Sequence, residues 1–270
     1  MPKISIFKET TFNLQKSLYV NELKKYFKDH STFSNSELMS FYLDKAPDIT
    51  KSTLNWRIHV LVNQGIMKRL GRGLYALGTS IEYQPEINDI LLNINKILID
   101  QLPFAKTCLW NTAVFNQWMI HQPAYFYNIV EVEKDVLESA FHIIQEAFPD
   151  AFLQPDQEML DRYSKNKLGV ILILPLVSEA PIQAMSHNDV EINTPSIEKV
   201  MVDVFCDEIV FNAQQGNELK NIYNSILSTY TVNVNKLLRY AMRRKKKGEF
   251  LEYIKTRTNF WHLFSKSAVL

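Results

Sequence analysis

The apolar positions of residues 15–64 recur with the three- and four-residue spacing of amphipathic helices. The pattern predicts three helices: one over residues 15–29, a second that follows Ser36, and a third that is capped by Thr50 or Ser52 and runs to about Gln64. In the third helix, Leu54, Ile58 and Leu61 fall on one side. That side is expected to face a core, and the opposite side is expected to face outward.

The pattern changes from helical to alternating after the third helix. Gly65 stands where a helix C-cap in the left-handed region is expected. Ile66–Leu70 and Leu74–Leu77 read as two short strands, joined by a tight turn at Gly71-Arg72-Gly73. Three helices followed by a hairpin with an arginine at its tip predict a winged helix-turn-helix, so residues 1–80 are interpreted as a DNA-binding domain.

The third helix of such a domain enters the major groove, and the hairpin lies along the backbone or minor groove. For Ser52 and Asn55 the alternative is a plain solvated helix face, and for Trp56 it is packing against a neighbouring element or a second domain. For the hairpin cations the alternative is again solvation. The predicted DNA contacts are Lys51, Ser52, Thr53, Asn55, Trp56, Arg57, His59, Asn63, Lys68, Arg69, Arg72 and Tyr75.

The remaining pattern, residues 81–270, predicts a larger mixed α/β domain with a small sheet and several helices, which makes the whole chain α+β. Residues 168–177 are almost continuously apolar, as in a strand covered on both faces. Thr107–Met119 has helical spacing at Leu109, Ala113 and Trp118 and is predicted to be a helix.

Charge is divided unevenly along the chain. The 270 residues carry a formal net charge of +1, but residues 1–80 hold 12 Lys and Arg against 6 Asp and Glu, and residues 81–270 hold 18 against 23. The excess of positive charge coincides with the helix–hairpin pattern and favours a nucleic-acid partner, with chance variation of surface charge as the alternative.

The compartment follows from what the sequence lacks. Two cysteines, Cys108 and Cys206, cannot form a disulfide framework, and no charged-then-apolar signal opens the sequence. The longest apolar run, residues 170–177, is too short to span a bilayer. We therefore expect a cytoplasmic protein with no membrane partner.

Catalytic patterns are weak. No Walker loop, G-x-G-x-x-G or H-E-x-x-H is present. Asp150 and Asp156 lie ahead of an apolar strand, as in some metal-dependent nucleases, but that strand offers no further Glu or Lys ligand. Cys108 and His121 are close in sequence, although a lone Cys is more often a small core residue. We expect no catalytic residues, no metal and no cofactor.

A basic cluster loads one end of a helix near the C-terminus. The helix dipole accounts for one or two of its cations but not for six. A second contact with DNA, with RNA or with an acidic partner is the hypothesis for these residues, which are Arg239, Arg243, Arg244, Lys245, Lys246 and Lys247.

Three segments carry a resemblance to a known family: W-R-I-H-V-L-V-N-Q-G-I-M-K-R-L-G-R-G-L-Y (56–75), T-P-S-I-E-K-V-M-V-D-V-F (194–205) and L-L-R-Y-A-M-R (237–243). They resemble motifs of the AbiEi antitoxins, the transcriptional regulators of abortive-infection toxin–antitoxin operons. The resemblance implies a bacterial antitoxin whose winged helix binds repeats in its own promoter. A chain with one winged helix gains by binding two half-sites, either as a dimer or as cooperating monomers, and the sequence does not decide between these. The resemblance also implies that the C-terminal domain, residues 81–270, counteracts a nucleotidyltransferase-like toxin.

The sequence thus leaves three functions, of which the first is preferred. The first is a sequence-specific DNA-binding transcriptional regulator, the autorepressing antitoxin of its operon. The second is a winged-helix module that binds proteins. The third is a metal-dependent nuclease with Asp150 and Asp156 at its metal.

Overall fold

The computed structural model describes residues 18–71, 73–79, 81–163, 167–187 and 190–265. Helices and small sheets alternate along the chain, so the expected α+β class is confirmed. The chain divides into two compact units. Among the described residues, the first unit contains those from Leu18 to Glu82 together with Thr231–Asn235, and the second contains those of Tyr83–Tyr230 and those from Lys236 to Ser265.

The described residues of the first unit form three helices and three short strands. Its antiparallel sheet has the order β1-β3-β2, and Phe33 of β1 lies opposite Tyr75 of β3. The helices cover a core of Leu and aromatic side chains. The elements are α1 (Val20–Tyr26), β1 (Phe33–Ser34), α2 (Asn35–Leu43), α3 (Lys51–Asn63), β2 (Met67–Gly71) and β3 (Leu74–Leu77).

The ends of α3 are fixed by local hydrogen bonds. At the start, the Thr50 hydroxyl accepts from the backbone N–H of Thr53 at 3.2 Å. At the end, Gly65 adopts a φ of +67°, and the N–H of Ile66 donates to the Leu61 carbonyl at 2.9 Å. A glycine in the left-handed region allows this backbone hydrogen bond at the end of a helix, so the predicted Gly65 cap is confirmed.

The second unit contains a four-stranded sheet, a separate hairpin and the remaining helices. Two short 3₁₀ segments, Thr112–Trp118 and Lys134–Val136, follow strands, and a third is Asn212–Gln214. The strands are β4 (Thr107–Asn111), β5 (Asn128–Val132), β6 (Ala151–Leu153), β7 (Ile171–Pro175), β8 (Ile182–His187) and β9 (Val190–Pro195). The helices are α4 (Asp89–Gln101), α5 (Leu137–Ala147), α6 (Gln157–Tyr163), α7 (Ile197–Cys206), α8 (Asn217–Thr229), α9 (Val234–Arg243), α10 (Lys247–Arg257) and α11 (Trp261–Phe264). The first residues of α9, Val234 and Asn235, are counted with the first unit.

The four-stranded sheet has the order β4-β5-β7-β6. β7 is parallel to both β5 and β6, and β4 is antiparallel to β5. The apolar side chains of β5 and β7 pack with α4 and α5 in one core. The continuous apolar character of residues 170–173, all buried, is explained by this central position.

The helix predicted for Thr107–Met119 is wrong. The segment is strand β4 followed by a 3₁₀ segment. Four consecutive residues, Thr107–Trp110, are buried, so both faces of this strand are covered. Such a strand lacks the alternation of apolar and polar residues that identifies a strand, and its helical spacing is a coincidence. Within the described ranges, no helix is long and apolar enough to cross a membrane.

Candidate nucleic-acid interface

α3 has one buried face and one exposed face. Leu54, Ile58 and Leu61 are buried in the first unit, as predicted. The opposite face carries hydroxyls, carboxamides, an imidazole and an indole, and no acidic side chain lies on the helix. Trp56 is 49% exposed, an unusual position for so large an apolar group. The exposed predicted contacts on α3 are Lys51, Ser52, Thr53, Asn55, Trp56, His59 and Asn63.

Two pairs on this face already make hydrogen bonds within the helix. The Thr53 hydroxyl lies 2.9 Å from the Thr50 hydroxyl as part of the N-terminal cap. The Asn63 amide lies 3.4 Å from the His59 ring. Ser52 and Asn55 are exposed on the first turns of the helix, on either side of Thr53 and Leu54.

Arg57 is turned toward the protein rather than outward. Its guanidinium carbon lies 4.6 Å from the ring centre of Tyr42 and 5.8 Å from that of Tyr19. One guanidinium nitrogen, Nη1, is buried and has no hydrogen-bond partner among the described residues. Burial raises the pKa of Tyr42 to about 12, and the Arg57 cation opposes that rise. The position of Arg57 is therefore explained by cation–π packing.

The hairpin presents its predicted contacts on different faces. Lys68 and Arg69 are consecutive in β2, so their side chains point to opposite faces; Lys68 is half-buried and Arg69 is exposed. Tyr75 is only 3% exposed and packs in the core of the first unit, so its side chain is not part of an exposed surface. Arg72, at the predicted tip, lies outside the described residues.

The basic cluster at the end of α9 is partly neutralised by its own neighbours. Arg243 pairs with Glu179, Arg244 with Asp203 at 2.7 Å, and Lys246 with Glu249 at 2.6 Å. Arg239 and Lys245 are exposed, and Lys247 is half-buried. The six cations therefore do not form one uniform surface, because Arg244 belongs to a buried network.

This buried network joins β5, α7 and α9. The Lys199 ammonium donates to both carboxylate oxygens of Glu131, at 2.6 and 2.7 Å, and also to Asp203. Asp203 in turn accepts from the hydroxyl of Tyr240 at 2.8 Å and from Arg244 at 2.7 Å. Two carboxylates and two cations balance in charge, which is what makes their burial tolerable.

Burial and pairing act in opposite directions on these groups. Burial raises the pKa of Glu131, and the Lys199 cation opposes that rise. Burial alone would lower the pKa of Lys199, but the carboxylates of Asp203 and Glu131 raise it well above its usual value. Lys199 is thus held as a cation at 0% exposure.

Sequence reasoning missed this network, although α7 contained a signal for it. Lys199 and Asp203 stand four residues apart in a helix that is otherwise apolar and is buried on every side from Ile197 to Val204. Charges in such a helix must have partners. The partner from β5, Glu131, is 68 residues away from Lys199 in sequence, so spacing alone could not identify it.

The acidic residues considered for a metal site have other partners. Asp150 pairs with Lys167 at 2.5 Å, and Asp156 accepts from the Met159 backbone at the start of α6. Among the described residues, no group of three or more His, Cys, Asp or Glu could hold a metal ion. Cys108 is fully buried, and burial raises the pKa of its thiol, which disfavours a thiolate nucleophile.

His121 instead belongs to a contact with α8. The Glu218 carboxylate accepts from the His121 ring at 2.8 Å and from the backbone N–H groups of Ile120 and His121 at 2.9 and 3.1 Å. Burial alone would raise the pKa of Glu218, but these bonds, led by that of the His121 ring, lower it to about 2. The contact ties the loop at residues 120–121 to the first turn of α8.

Comparison with known proteins gives one family. A model described as a family of unknown function, DUF6577, matches residues 53–259, which include most of α3, the hairpin and the whole of the buried network. No curated protein matches the chain. Because the family model covers well over half of the sequence, the chain belongs to the DUF6577 family.

Proposed function

We propose that this protein is a sequence-specific DNA-binding transcriptional regulator. The observation that carries the proposal is the outward face of α3. It is polar and free of acidic side chains, and it lies directly opposite the Leu54–Ile58–Leu61 stripe that fixes the helix to its core. A helix held rigidly on one side, with amide and hydroxyl groups on the other, suits readout of base edges in a major groove.

The arrangement of the first unit supports a winged helix. Three helices are followed by a hairpin, and the short strand β1 pairs with the second hairpin strand, β3. In this proposal α3 is the recognition helix and the β2–β3 hairpin is the wing. Arg69, exposed on the wing, contacts a phosphate, and Ser52 and Asn55 contact bases.

The charge distribution supports the same partner. Residues 1–80 carry 12 Lys and Arg against 6 Asp and Glu. A positive surface attracts the phosphate backbone, so affinity is expected to fall steeply as salt rises. Two copies on a repeated site, as a dimer or as cooperating monomers, would lengthen the sequence that is read.

We further propose that the regulated operon is the protein's own and that the protein is its antitoxin. This part rests on the resemblance of segments 56–75, 194–205 and 237–243 to AbiEi antitoxins. The second unit would then counteract a nucleotidyltransferase-like toxin in the bacterial cytoplasm. Repression and toxin neutralisation are separable activities, so each needs its own test.

The first experiment is a mobility shift with the DNA upstream of the protein's own gene, titrated in salt, with an unrelated duplex of equal length as control. Selective binding that weakens in Asn55→Ala supports the proposal. The matched control is Asn217→Ala, a carboxamide at the start of α8 in the second unit. Equal affinity for both duplexes at every salt concentration would overturn sequence-specific autoregulation.

The antitoxin role is tested in cells. The neighbouring gene is expressed alone and with this protein supplied from a constitutive promoter, so that repression cannot account for the result. Restored growth supports neutralisation, and growth arrest in both cases contradicts it. If the protein neither binds the upstream DNA nor neutralises the product of the neighbouring gene, the next experiment is a search for a protein partner that binds the exposed side chain of Trp56.

A further inference from the structure

The second unit contains a cleft of about 560 Å³ that the DNA-binding proposal does not use. It lies beside the end of β4, the start of α4 and the 3₁₀ segment that follows β4. Its volume is in the range of sites for small molecules. Five of its described lining residues carry side-chain carboxamides: Gln84, Asn88, Asn111, Asn116 and Gln117.

Two of these carboxamides are held in fixed orientations. The Nδ2 groups of Asn88 and Asn111 both donate to Oδ1 of Asn128, each at 2.8 Å. Their own oxygens accept from the backbone N–H groups of Leu91 and Ala113, at 2.9 and 2.7 Å. Each NH₂ group thus donates one of its two hydrogens to Asn128, and its second hydrogen can be donated to another acceptor.

Asn128 is the buried centre of this arrangement. It is 1% exposed and lies at the start of β5, directly opposite Asn111 of β4. Because a strand pair and a helix cap hold the three carboxamides, the donors at the cleft wall are fixed before any ligand arrives. Fixed donors lower the ordering cost of binding.

The cleft is not built for an anion. Its described lining contains no Lys, Arg or His, and Glu86 contributes a carboxylate. A phosphate or carboxylate would meet that negative charge without a compensating cation. The charge therefore selects a neutral or weakly basic ligand.

Aromatic rings provide the flat part of the lining. Phe126 and Tyr230 both border the cleft. Tyr230 is braced edge-to-face by Tyr83 and Trp118, with ring centres 5.8 and 6.0 Å away. Flat apolar surfaces beside amide donors and acceptors match the two chemical aspects of a nucleobase, its π face and its hydrogen-bonding edge.

We propose that this cleft binds an uncharged nucleobase or nucleoside. The inference stands independently of DNA binding by α3, because every residue that carries it belongs to the second unit. The Asn88 and Asn111 amides donate to acceptors on the base edge, and Phe126 packs on its face. Binding at this site would give the protein an effector.

The test is a calorimetric titration of the full chain with adenosine, guanosine, cytidine and uridine. The corresponding 5′-monophosphates and glucose are titrated in parallel. At least one nucleoside is expected to bind saturably, more tightly than its monophosphate and than glucose. Phe126→Ala is expected to weaken that nucleoside about tenfold or more.

Phe104→Ala is the matched control, because Phe104 is 96% exposed and lies outside the cleft. Gln117→Leu, which removes a lining amide, is a second variant whose folding is checked by its thermal unfolding. The proposal would be overturned by saturation by none of the four nucleosides, by tighter binding of a monophosphate than of its nucleoside, or by equal loss of affinity in Phe126→Ala and Phe104→Ala. Preferential binding of glucose would assign the cleft to polyols instead and would also overturn it.

Discussion

The ammonium group of Lys199 donates to both carboxylate oxygens of Glu131, at 2.6 and 2.7 Å, in a site with no solvent exposure at the lysine. Lys199→Met leaves two carboxylates facing each other without their shared cation. We expect a loss of about 3–5 kcal/mol in the free energy of unfolding, measured by denaturant titration, because a buried charge has lost its partner.

The control for that change is Lys220→Met, at an exposed position of α8. It is expected to change stability by no more than about 0.5 kcal/mol. Adding Glu131→Gln to Lys199→Met is expected to recover part of the loss, since it removes one stranded charge. A loss below about 1 kcal/mol in Lys199→Met would contradict the importance of the network.

Acid stability depends on Glu218, whose pKa in the folded protein is about 2 against an ordinary value of 4.5. A lowered folded-state pKa means that the carboxylate stabilises the fold above pH 4.5 and that this contribution disappears as pH falls toward 2. Glu218→Gln is therefore expected to show a shallower loss of stability over this range. Unfolding is measured at several pH values, with Glu138→Gln, an exposed carboxylate of α5, as control; identical slopes in all three proteins would rule the effect out.

The C-terminal end of α3 depends on Gly65. A Cβ at this position would lie 2.9 Å from Cγ2 of Thr79, and the φ of +67° is itself unfavourable for other residues. Gly65→Ala is expected to lower the free energy of unfolding, measured by thermal unfolding, by about 1–2 kcal/mol or more. Adding Thr79→Ser removes the close contact but not the backbone strain, so it is expected to recover only part of the loss.

Gly248→Ala provides the comparison for Gly65→Ala. Gly248 lies in α10, has no positive φ, and its added Cβ would meet no atom within 4 Å. It is expected to be neutral or slightly stabilising, by up to about 1 kcal/mol. Equal effects at the two glycines would show that the left-handed cap contributes little.

The variant Arg57→Ala tests whether Arg57 contributes to folding or to DNA binding. Because its guanidinium packs over Tyr42, Arg57→Ala is expected to lower the stability of the first unit by about 1 kcal/mol. The salt dependence of DNA affinity should stay the same, since no phosphate contact has been removed. If the slope of log affinity against log salt concentration fell by about one, Arg57 would instead contact a phosphate.

Asn55 and Arg69 are expected to affect DNA binding in different ways. Asn55→Ala is expected to cost about 1–3 kcal/mol on the specific site and little on unrelated DNA. Arg69→Ala is expected to weaken both duplexes alike and to reduce the salt slope by about one. Fluorescence anisotropy over a range of salt concentrations distinguishes the two patterns, and Lys96→Ala, exposed on α4, is the control for lost positive charge.

The first unit was largely predictable from its sequence because its signals are local. Leu54, Ile58 and Leu61 mark the buried face of α3 within two turns, and Gly65 marks its end one residue after the C-cap. The predicted strand at Leu74–Leu77 has the bounds that the structure gives it. The positions of Tyr75 and Arg57 could not be predicted, because a wide aromatic or a long cation can either face solvent or pack inward.

The second unit was less predictable because its determinants are far apart in sequence. Thr107–Trp110 is buried on both faces, which removes the alternation that identifies a strand. The carboxamides of Asn88 and Asn111 both bond to Asn128, and no short sequence motif predicts this contact. Likewise Lys199 joins Glu131 to Asp203, although Glu131 is 68 residues away from Lys199 in sequence.

The strand order β4-β5-β7-β6 has a consequence for synthesis on the ribosome. β6 is made before β7, yet among the described strands its one partner is β7, and β7 must enter between β5 and β6. Until Pro175 has left the exit tunnel, β5 has an unpaired apolar edge and β6 has no strand to join. A nascent chain stalled between Leu153 and Pro175 would therefore expose a surface that chaperones and other chains recognise.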